Sequence, residues 1–179
     1  MFHTPSIRNV EKQAKLMDKP IIIQKTRGKK EKELKDLEKA IKRAIKNYRI
    51  NGILTGAIES VYQSTRIQKI CNKLKVECFN PLWQKDQLEL LGNLITNRFT
   101  VIVTGVFAYP LNRDYLGKEI NKDFIKKISG LNRKYKINPA GEGGEYETLV
   151  IDCPLFKKPL QIKEKRIYGS ENSWRMEIR

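Results

Sequence analysis

Residues 52–79, GILTGAIESVYQSTRIQKICNKLKVECF, decide the fold of this chain. A short apolar run at Gly52–Leu54 precedes a pattern with helical periodicity from Ile58 to Leu74, and a second apolar run covers Val76–Phe79. Two strands that flank a helix at this spacing are typical of a βαβ unit, in which the strands are parallel. The stretch therefore predicts an α/β protein built around a parallel sheet.

The same alternation continues on both sides of this stretch. The runs Ile21-Ile22-Ile23 and Val101-Ile102-Val103 show no alternation of polar and apolar residues, as expected of strands that helices cover on both faces. We expect helices at Pro5–Met17, Glu31–Asn47, Asp86–Asn97 and Asn121–Tyr135, and strands at Pro20–Lys25 and Phe99–Phe107.

The last part of the chain has a different pattern. A glycine-rich turn at residues 141–144 is followed by short strand-like runs at Leu149–Asp152, Leu160–Ile167 and Trp174–Ile178. We therefore expect two regions, a parallel-sheet domain over residues 1–137 and a small β-rich region over residues 138–179.

Composition narrows the class of protein. With 179 residues, 40% hydrophobic and 31% charged, the chain is long and apolar enough for one sizeable domain with a small appendage, which excludes a wholly disordered protein. No apolar run reaches the roughly 18 residues of a membrane-spanning helix and no signal peptide is apparent, so we expect a cytoplasmic protein. Three cysteines without Cys-x-x-Cys spacing and a single histidine, His3, predict reduced thiols and no metal site.

The charge of the chain is strongly positive. Lys and Arg number 36 against 20 Asp and Glu, a net charge of +16 that attracts nucleotides, nucleic acid or an acidic protein. Many of the lysines lie on the predicted helix Glu31–Asn47, opposite its apolar stripe. They form either a solvated helix face or a phosphate-binding surface, because spacing alone does not separate the two.

Polar segments follow the predicted strands, at the sheet edge where open parallel sheets bind ligands. After the first strand of the βαβ unit, Gly56 permits close approach of a ligand to the backbone. Glu59, Gln63 and Arg66 then recur on one side of the helix. The alternative is an ordinary helix start capped by Thr55.

The second such segment covers residues 80–87. Pro81 ends a strand and Asp86 can cap the next helix. Trp83 either packs in the core or offers a ligand a flat surface.

The third segment, PAGEGGEYET at residues 139–148, concentrates negative charge in a basic chain. It contains three carboxylates, Glu142, Glu145 and Glu147, and no basic residue. A hairpin turn with solvated glutamates would explain the composition. A carboxylate cluster that binds a cationic substrate or a metal, or that moves protons, would explain it equally well.

Four motifs combine these segments: Gly56-Ala57-Ile58-x-Ser60-x-Tyr62-Gln63-x-x-Arg66, Pro81-Leu82-Trp83 with Asp86-Gln87, Gly141-Glu142-Gly143-Gly144-Glu145-Tyr146-Glu147-Thr148, and Asp152-x-Pro154-Leu155-Phe156. Together they resemble the diphthine–ammonia ligase family. The opening Met1-Phe2-His3-Thr4-Pro5 also resembles a segment of that family, so the resemblance extends over the whole chain.

The resemblance implies a Rossmann-like ATP-binding domain of the N-type ATP pyrophosphatase class and a small C-terminal substrate-recognition region. It implies the ATP-dependent amidation of diphthine on elongation factor 2 to diphthamide. Ammonium is the nitrogen source, an acyl-adenylate is the intermediate, and AMP and pyrophosphate are released. ATP, accompanied by Mg²⁺, elongation factor 2 and ammonium are the implied partners, and neither a membrane nor nucleic acid is required.

Site residues follow from the same resemblance. Diphthine carries a quaternary ammonium group, which favours carboxylates beside aromatic rings. Nucleotide binding is implied for Gly56, Ala57, Ser60, Gln63 and Arg66. Substrate binding is implied for Tyr62, Trp83, Gly143, Gly144, Tyr146 and Thr148, and the reaction itself for Glu142, Glu145 and Glu147.

One family element has no counterpart in this sequence. Family members begin earlier, with a strand and a Ser-Gly-Gly-x-Asp-Ser loop whose backbone N–H groups hold pyrophosphate. We therefore expect a chain that is N-terminally truncated relative to the family, a sheet without its first strands, exposed strand edges and slow ATP turnover by the chain alone.

Two other functions remain open from the residues. A related ATP pyrophosphatase that modifies tRNA would account for the positive charge. A non-catalytic fragment that binds a nucleotide or a protein would account for the absent phosphate loop.

Overall fold

The computed structural model describes residues 7–27 and 31–179, which form two compact units. The smaller unit contains residues 21–27 and 31–85, and the larger unit contains residues 7–20 and 86–179. The helices are α1 (Asn9–Leu16), α2 (Glu33–Tyr48), α3 (Val61–Leu74), α4 (Gln87–Thr96) and α5 (Lys122–Tyr135). The strands are β1 (Gly52–Leu54), β2 (Glu77–Phe79), β3 (Thr100–Val106), β4 (Tyr146–Asp152), β5 (Lys165–Ser170) and β6 (Ser173–Ile178).

The smaller unit contains the βαβ unit predicted from residues 52–79, together with α2. Strands β1 and β2 are parallel, with Gly52 opposite Glu77 and Leu54 opposite Phe79, and α3 connects them. Helix α3 begins after Ser60, whose side chain accepts a hydrogen bond from the backbone N–H of Gln63. The prediction from residues 52–79 is confirmed, including the bounds of β1.

The core of the smaller unit lies where α2 and α3 pack beside the two strands. Ile41 of α2 is buried together with Ile70, Cys71 and Val76. Cys71 is fully buried, and burial, reinforced by neighbouring Cys78, raises the pKa of its thiol to about 11. Such a thiol stays protonated at neutral pH and acts as an apolar packing group.

A four-stranded antiparallel sheet, in the order β4-β3-β6-β5, forms the centre of the larger unit. Strand β3 pairs with β4 along its length and with β6 at its end, and Val101 to Val106 are all buried. The sequence predicted this strand but placed it in the parallel sheet. A continuous apolar run reports that both faces of a strand are covered, and it carries no information about the direction of the neighbouring strands.

Two apolar clusters stabilise the larger unit. One joins β3 and Tyr146 of β4 to α5, whose Phe124 and Ile128 are buried in it. The other contains Ile102, Leu149, Leu160, Met176 and Ile178, and Leu16 of α1 packs against it.

Helix α1 is tied to the larger unit by side chains that bond to distant backbone. The buried Asn9 donates a hydrogen bond to the carbonyl of Ile178 at 2.9 Å, and Gln13 donates to the carbonyl of Val150 at 2.8 Å. At the last residue of the helix, the carbonyl of Leu16 accepts a hydrogen bond from the backbone N–H of Lys157 at 2.9 Å. The larger unit is therefore built from two separate stretches of the chain.

The mixed α/β class is confirmed, and two strand predictions need correction. Residues Pro20–Lys25 form no strand, since no described strand pairs with them. The strand predicted at Leu160–Ile167 begins later, at Lys165, because Leu160 is buried in the core as part of an irregular segment. The start of the helix predicted at Pro5–Met17 lies outside the described residues. None of the helices in the described part of the chain combines the length and apolar character needed to cross a membrane.

Candidate functional site

The carboxyl ends of β1 and β2 are joined by polar side chains in the smaller unit. The backbone N–H of Thr55 donates to the carbonyl of Phe79 at 2.9 Å, which extends the strand pairing by one bond. The Thr55 hydroxyl donates to the side-chain oxygen of Asn80 and accepts from the backbone N–H of Ala57 at 3.3 Å. These bonds fix the turn that leads from β1 toward α3.

Gly56 and Ser60 lie on either side of two buried residues, Ala57 and Ile58. Ala57 and Ile58 are buried, at 4% and 8% exposure, whereas Gly56 is exposed and has open space where a side chain would lie. The carbonyl of Ile58 accepts from the backbone N–H of Gln84 at 2.8 Å, so the segment is fastened to the turn that follows β2. The exposed backbone before α3 is thus held in place and open to a ligand.

Arg66, predicted as a phosphate ligand, is held by two neighbours. Its guanidinium donates to a carboxylate oxygen of Glu31 through Nε, at 2.8 Å, and through Nη2. The guanidinium carbon also lies 3.4 Å from the ring centre of Tyr62, whose hydroxyl donates to the same Glu31 oxygen at 3.1 Å. Partial burial and the Glu31 hydrogen bond raise the pKa of Tyr62. Two residues of the predicted site are therefore organised by an acidic residue outside it.

The lysines of α2 are partly neutralised by acidic residues of the smaller unit. Lys42 and Lys73 both bind the carboxylate of Glu38, at 2.8 and 2.9 Å, and hold the pKa of that carboxyl below its ordinary value. Lys39 forms an ion pair with Asp36 at 3.3 Å. These contacts favour the solvated-face interpretation for this part of the helix.

The acidic segment belongs to the larger unit, where the Glu145 carboxylate is anchored at one oxygen. Its Oε1 accepts a hydrogen bond from the backbone N–H of Asn138 at 3.0 Å. Its Oε2 is buried and has no hydrogen-bond partner among the described residues. Since a buried carboxylate oxygen without a donor is costly, this position favours a cation or a hydrogen-bond donor next to the oxygen.

Close packing explains two of the three glycines of the segment, Gly141 and Gly143. A Cβ atom on Gly143 would lie 2.6 Å from Oε1 and 2.9 Å from both Cδ and Oε2 of Glu145. At Gly141, where φ is +75°, a Cβ atom would lie 2.8 Å from the carbonyl oxygen of Tyr146. Glycine is therefore needed at these positions because the loop folds onto the Glu145 carboxylate and onto the next strand.

Asn138 and Gln87 hold the loop from outside the acidic motif. The Asn138 side-chain oxygen accepts from the backbone N–H groups of Ala140 and Glu142, both at 3.1 Å. The side-chain oxygen of Gln87, at the start of α4, accepts from the Ala140 N–H at 3.0 Å. The backbone donors of the loop are therefore satisfied by side chains, which fixes its shape.

Tyr146 lies in the core. It is 4% exposed, its ring packs edge-on against Phe124 at 5.9 Å, and its hydroxyl donates to the carbonyl of Pro139. Burial, with the nearby Glu145 carboxylate as a smaller cause, raises the pKa of this phenol above its ordinary range. The ring is therefore part of the core, and its hydroxyl group is hydrogen-bonded to the first residue of the acidic segment.

Each unit contains part of the predicted site. The first group, Gly56, Ala57, Ser60, Tyr62, Gln63, Arg66 and Trp83, lies in the smaller unit, and Trp83 is half-buried there. The second group, Glu142, Gly143, Gly144, Glu145, Tyr146, Glu147 and Thr148, lies in the larger unit, where Glu147 and Thr148 are half-buried residues of β4. The roles assigned to these residues remain predictions.

Sequence reasoning missed the residues that organise the site. Glu31 was assigned only to a helix start, and Asn138 lay just ahead of the acidic motif without a role. Glu31 bonds to Arg66, 35 positions away, which no local pattern shows. Asn138 accepts from backbone N–H groups two and four positions ahead, a local turn pattern that the sequence did offer. Gln87 is part of the motif Pro81-Leu82-Trp83 with Asp86-Gln87, so the sequence did single it out. Among residues 7–27 and 31–179, no three His, Cys, Asp or Glu side chains are grouped so that they could hold a metal ion.

Comparison with known proteins gives consistent results over both parts of the chain. Residues 1–78 match the diphthamide synthase N-terminal domain, and residues 86–179 match the diphthamide synthase C-terminal domain. Proteins named diphthine–ammonia ligase are similar over 136 residues, or 75% of this chain. The Schizosaccharomyces pombe protein is 42% identical, and the Bos taurus and Homo sapiens proteins are each 35% identical.

The chain is short relative to these proteins. The matched region covers 22% of the Schizosaccharomyces pombe protein and 51% of the Bos taurus and Homo sapiens proteins, so the chain spans about half or less of the length of these curated relatives. The two domain matches nevertheless account for nearly all of its residues. The chain therefore belongs to the diphthamide synthase family.

Proposed function

We propose that the protein containing this chain catalyses the ATP-dependent amidation of diphthine on elongation factor 2, with ammonium as the nitrogen source. The observation that carries the proposal is the Glu145 carboxylate, which is held by Asn138 and keeps a second, buried oxygen available for a cationic ligand. In a chain of charge +16, a prepared acceptor for a cation is a specific feature and not a consequence of composition. The names of the similar proteins support the same reaction.

The reaction has two steps. The diphthine carboxylate attacks the α-phosphorus of ATP, and pyrophosphate leaves with the electrons of the broken P–O bond. Ammonia then attacks the acyl carbon of the adenylate, AMP leaves, and the nitrogen loses a proton to give the amide. The Mg²⁺ that accompanies ATP would be bound chiefly by phosphate oxygens and water.

In the smaller unit we assign nucleotide contacts to the turn before α3. The open backbone at Gly56, the neighbouring Ala57 and the polar groups of Ser60 and Gln63 lie at or just before the start of a 14-residue helix, where backbone N–H groups favour anions. Arg66 would neutralise phosphate charge. Because Glu31 now holds the guanidinium, nucleotide binding requires Arg66 to exchange this carboxylate for a phosphate oxygen.

In the larger unit we assign substrate recognition to the acidic segment. Glu142, Glu145 and Glu147 would supply the negative charge that attracts the cationic part of the substrate, and Oε2 of Glu145 would be a buried acceptor among them. Gly143, Gly144 and Thr148 shape the loop and the first strand after it, and the Tyr146 ring lies beneath it. In the smaller unit, Tyr62 and Trp83 are proposed as further substrate contacts. We assign ATP binding to residues 1–137 and substrate recognition to residues 138–179.

An amidation assay tests the proposal. The protein that contains this chain is incubated with ATP, ammonium and elongation factor 2 that carries diphthine, and the modified peptide is measured by mass spectrometry together with AMP and pyrophosphate. We expect amide, AMP and pyrophosphate in equal amounts. The control contains sodium in place of ammonium and unmodified elongation factor 2 in place of the diphthine-bearing factor, and it should yield none of the three products. ATP consumption that is independent of diphthine, or amide formation that is unchanged by Glu145→Gln, would refute the assignment.

A binding measurement tests the substrate class without turnover. We expect the chain to bind diphthine-bearing elongation factor 2 more tightly than the unmodified factor, in the absence of ATP. Added tRNA should not compete at physiological salt, because the positive surface alone gives only salt-sensitive binding. Equal binding of the two forms of the factor would contradict recognition of diphthine.

A further inference from the structure

Three neighbouring strands of the larger unit place Glu147, Gly105 and Arg175 in one row. Gly105 of β3 lies opposite Glu147 of β4 on one side and opposite Arg175 of β6 on the other. Directly opposed residues of antiparallel strands present their side chains on the same face of the sheet. A carboxylate and a guanidinium therefore flank a position that has no side chain of its own. A β-bulge between Val103 and Gly105 precedes this row, and bulges commonly redirect side chains beside functional sites.

An aromatic ring occupies the place left by Gly105. A Cβ atom at this position would lie 2.7 Å from Cζ and 2.9 Å from Cε2 of Phe107. The same atom would lie 3.6 Å from Cβ of Glu147. The Phe107 ring thus lies across the sheet at Gly105, beside Glu147. Phe107 is also tied to the acidic loop, because its backbone N–H donates to the carbonyl of Glu145 at 2.8 Å.

A cation already lies over this ring. The guanidinium carbon of Arg175 is 5.3 Å from the ring centre of Phe107, within the range of a cation–π contact. Arg175 is exposed and forms no ion pair with a described carboxylate, and Phe107 is half-buried. The ring is therefore a site that accepts a positive charge, and the group that now fills it belongs to a solvent-exposed side chain.

We propose that Phe107 and Glu147 form a binding site for a quaternary ammonium group, and that Arg175 occupies this site until the ligand displaces it. The proposal rests on the proposed function for the identity of the natural ligand, a trimethylammonium group on a protein side chain. We call Phe107, Glu147 and the space over Gly105 the ammonium cradle. A quaternary ammonium suits the cradle because its methyl groups contact the ring while its charge is balanced by the carboxylate.

The positive net charge of the chain makes nonspecific binding of a cation unfavourable. A protein of charge +16 repels small cations, so measurable binding of one requires a local site that overcomes this repulsion. If the ligand displaces Arg175, variants of Arg175 and Phe107 should change the affinity for an ammonium ion in opposite directions. Removal of the resident guanidinium should strengthen binding of an external ammonium, whereas removal of the ring should weaken it.

The experiment uses the 179-residue chain and tetramethylammonium chloride as the probe, at constant ionic strength maintained with sodium chloride. Binding is measured from the NMR signals of the phenylalanine rings. We expect Arg175→Gln to tighten binding and Phe107→Leu to weaken it, each by about 3- to 10-fold, the range expected for one cation–π contact. Glu147→Gln should also weaken binding.

Arg113→Gln is the matched control. Its guanidinium lies 5.6 Å from the ring centre of Trp174 in the same unit, so the variant removes an equal charge and a similar contact away from the cradle. It corrects for the general effect of a lower net charge. An Arg175→Gln variant that binds tetramethylammonium no more tightly than Arg113→Gln overturns the proposal, and this comparison holds even where Phe107→Leu fails to fold.

The outcome is separate from that of the proposed function. The probe measurement requires neither ATP nor elongation factor 2, so absence of binding refutes the ammonium cradle alone. Binding with the expected variant pattern supports the cradle, and if the protein that contains this chain shows no amidation, the ligase proposal alone is refuted.

Discussion

The contact between Gly143 and Glu145 allows a test in which the cost of one methyl group is worked out from the structure. In Gly143→Ala, the new Cβ atom would lie 2.6 Å from Glu145 Oε1 and 2.9 Å from Oε2, well inside van der Waals contact. The carboxylate must move, and the hydrogen bond that it accepts from the Asn138 N–H at 3.0 Å is then stretched or lost. Loss of a charge-assisted hydrogen bond, or an equivalent overpacking strain, costs about 1–3 kcal/mol of unfolding free energy.

The assay is urea unfolding of the larger unit. Trp174 lies in that unit and Trp83 lies in the other, so a Trp83→Phe background makes fluorescence report on the larger unit alone. Gly144→Ala is the control, because a Cβ atom there meets no heavy atom within 4 Å, although φ is +82°. It should cost about 1–2 kcal/mol through backbone strain, independently of Glu145.

A double-mutant cycle separates the two effects. In a Glu145→Ala background, Gly143→Ala should lose most of its cost, whereas Gly144→Ala should keep its own. If Gly143→Ala is equally destabilising with and without the Glu145 carboxylate, the close approach does not explain this glycine and the reasoning fails.

Three further predictions concern single side chains. Glu145→Gln keeps an acceptor for the loop N–H, so unfolding free energy should change by less than about 1 kcal/mol while amidation falls steeply, as denaturation and mass spectrometry would show. The pKa of Tyr146 is raised in the folded state, so its contribution to stability is complete below the ordinary value of about 10 and is lost as pH rises toward the folded value. Tyr146→Phe should flatten that alkaline loss of stability in pH-dependent melting, and an unchanged profile would contradict the assignment. Glu31→Gln should release Arg66 and tighten ATP binding several-fold, whereas weaker binding in a nucleotide titration would show that Glu31 positions the guanidinium for the ligand.

Local signals were sufficient to predict the βαβ unit and the helices. β1 is a short apolar run bounded by a glycine, and α3 has Ser60 at its N-terminal cap. The α5 helix is capped in the same way by Asn121, whose side chain accepts from the Phe124 N–H at 2.9 Å. Apolar periodicity and capping involve residues three or four positions apart, so the sequence displays them directly.

The neighbours of β3 could not be predicted because they are distant in sequence. Thr100 pairs with Asp152 and Val106 pairs with Trp174, and these partnerships depend on where the chain returns after a long connection. A run of buried residues is compatible with parallel and with antiparallel partners.

The sequence predicted which segments contribute to the candidate site, but not how their side chains are arranged. The acidic segment stood out because it opposed the charge of the chain, yet the sequence did not show that Tyr146 points into the core. It also did not show that the ring beside Glu147 is Phe107, since this contact arises from the missing side chain at Gly105 in a neighbouring strand. Contacts across a sheet are set by register, which the motif itself does not contain.

The bond between Asn9 and Ile178 constrains the order in which the chain can mature during synthesis. The two residues are separated by 169 positions, and the complete smaller unit lies between them in the sequence. A ribosome therefore delivers α1 before the residues of the smaller unit, and those residues before the strand that α1 binds. The smaller unit can finish folding while α1 still waits for its partner, and a nascent chain halted before β6 would leave that helix exposed to chaperones and proteases.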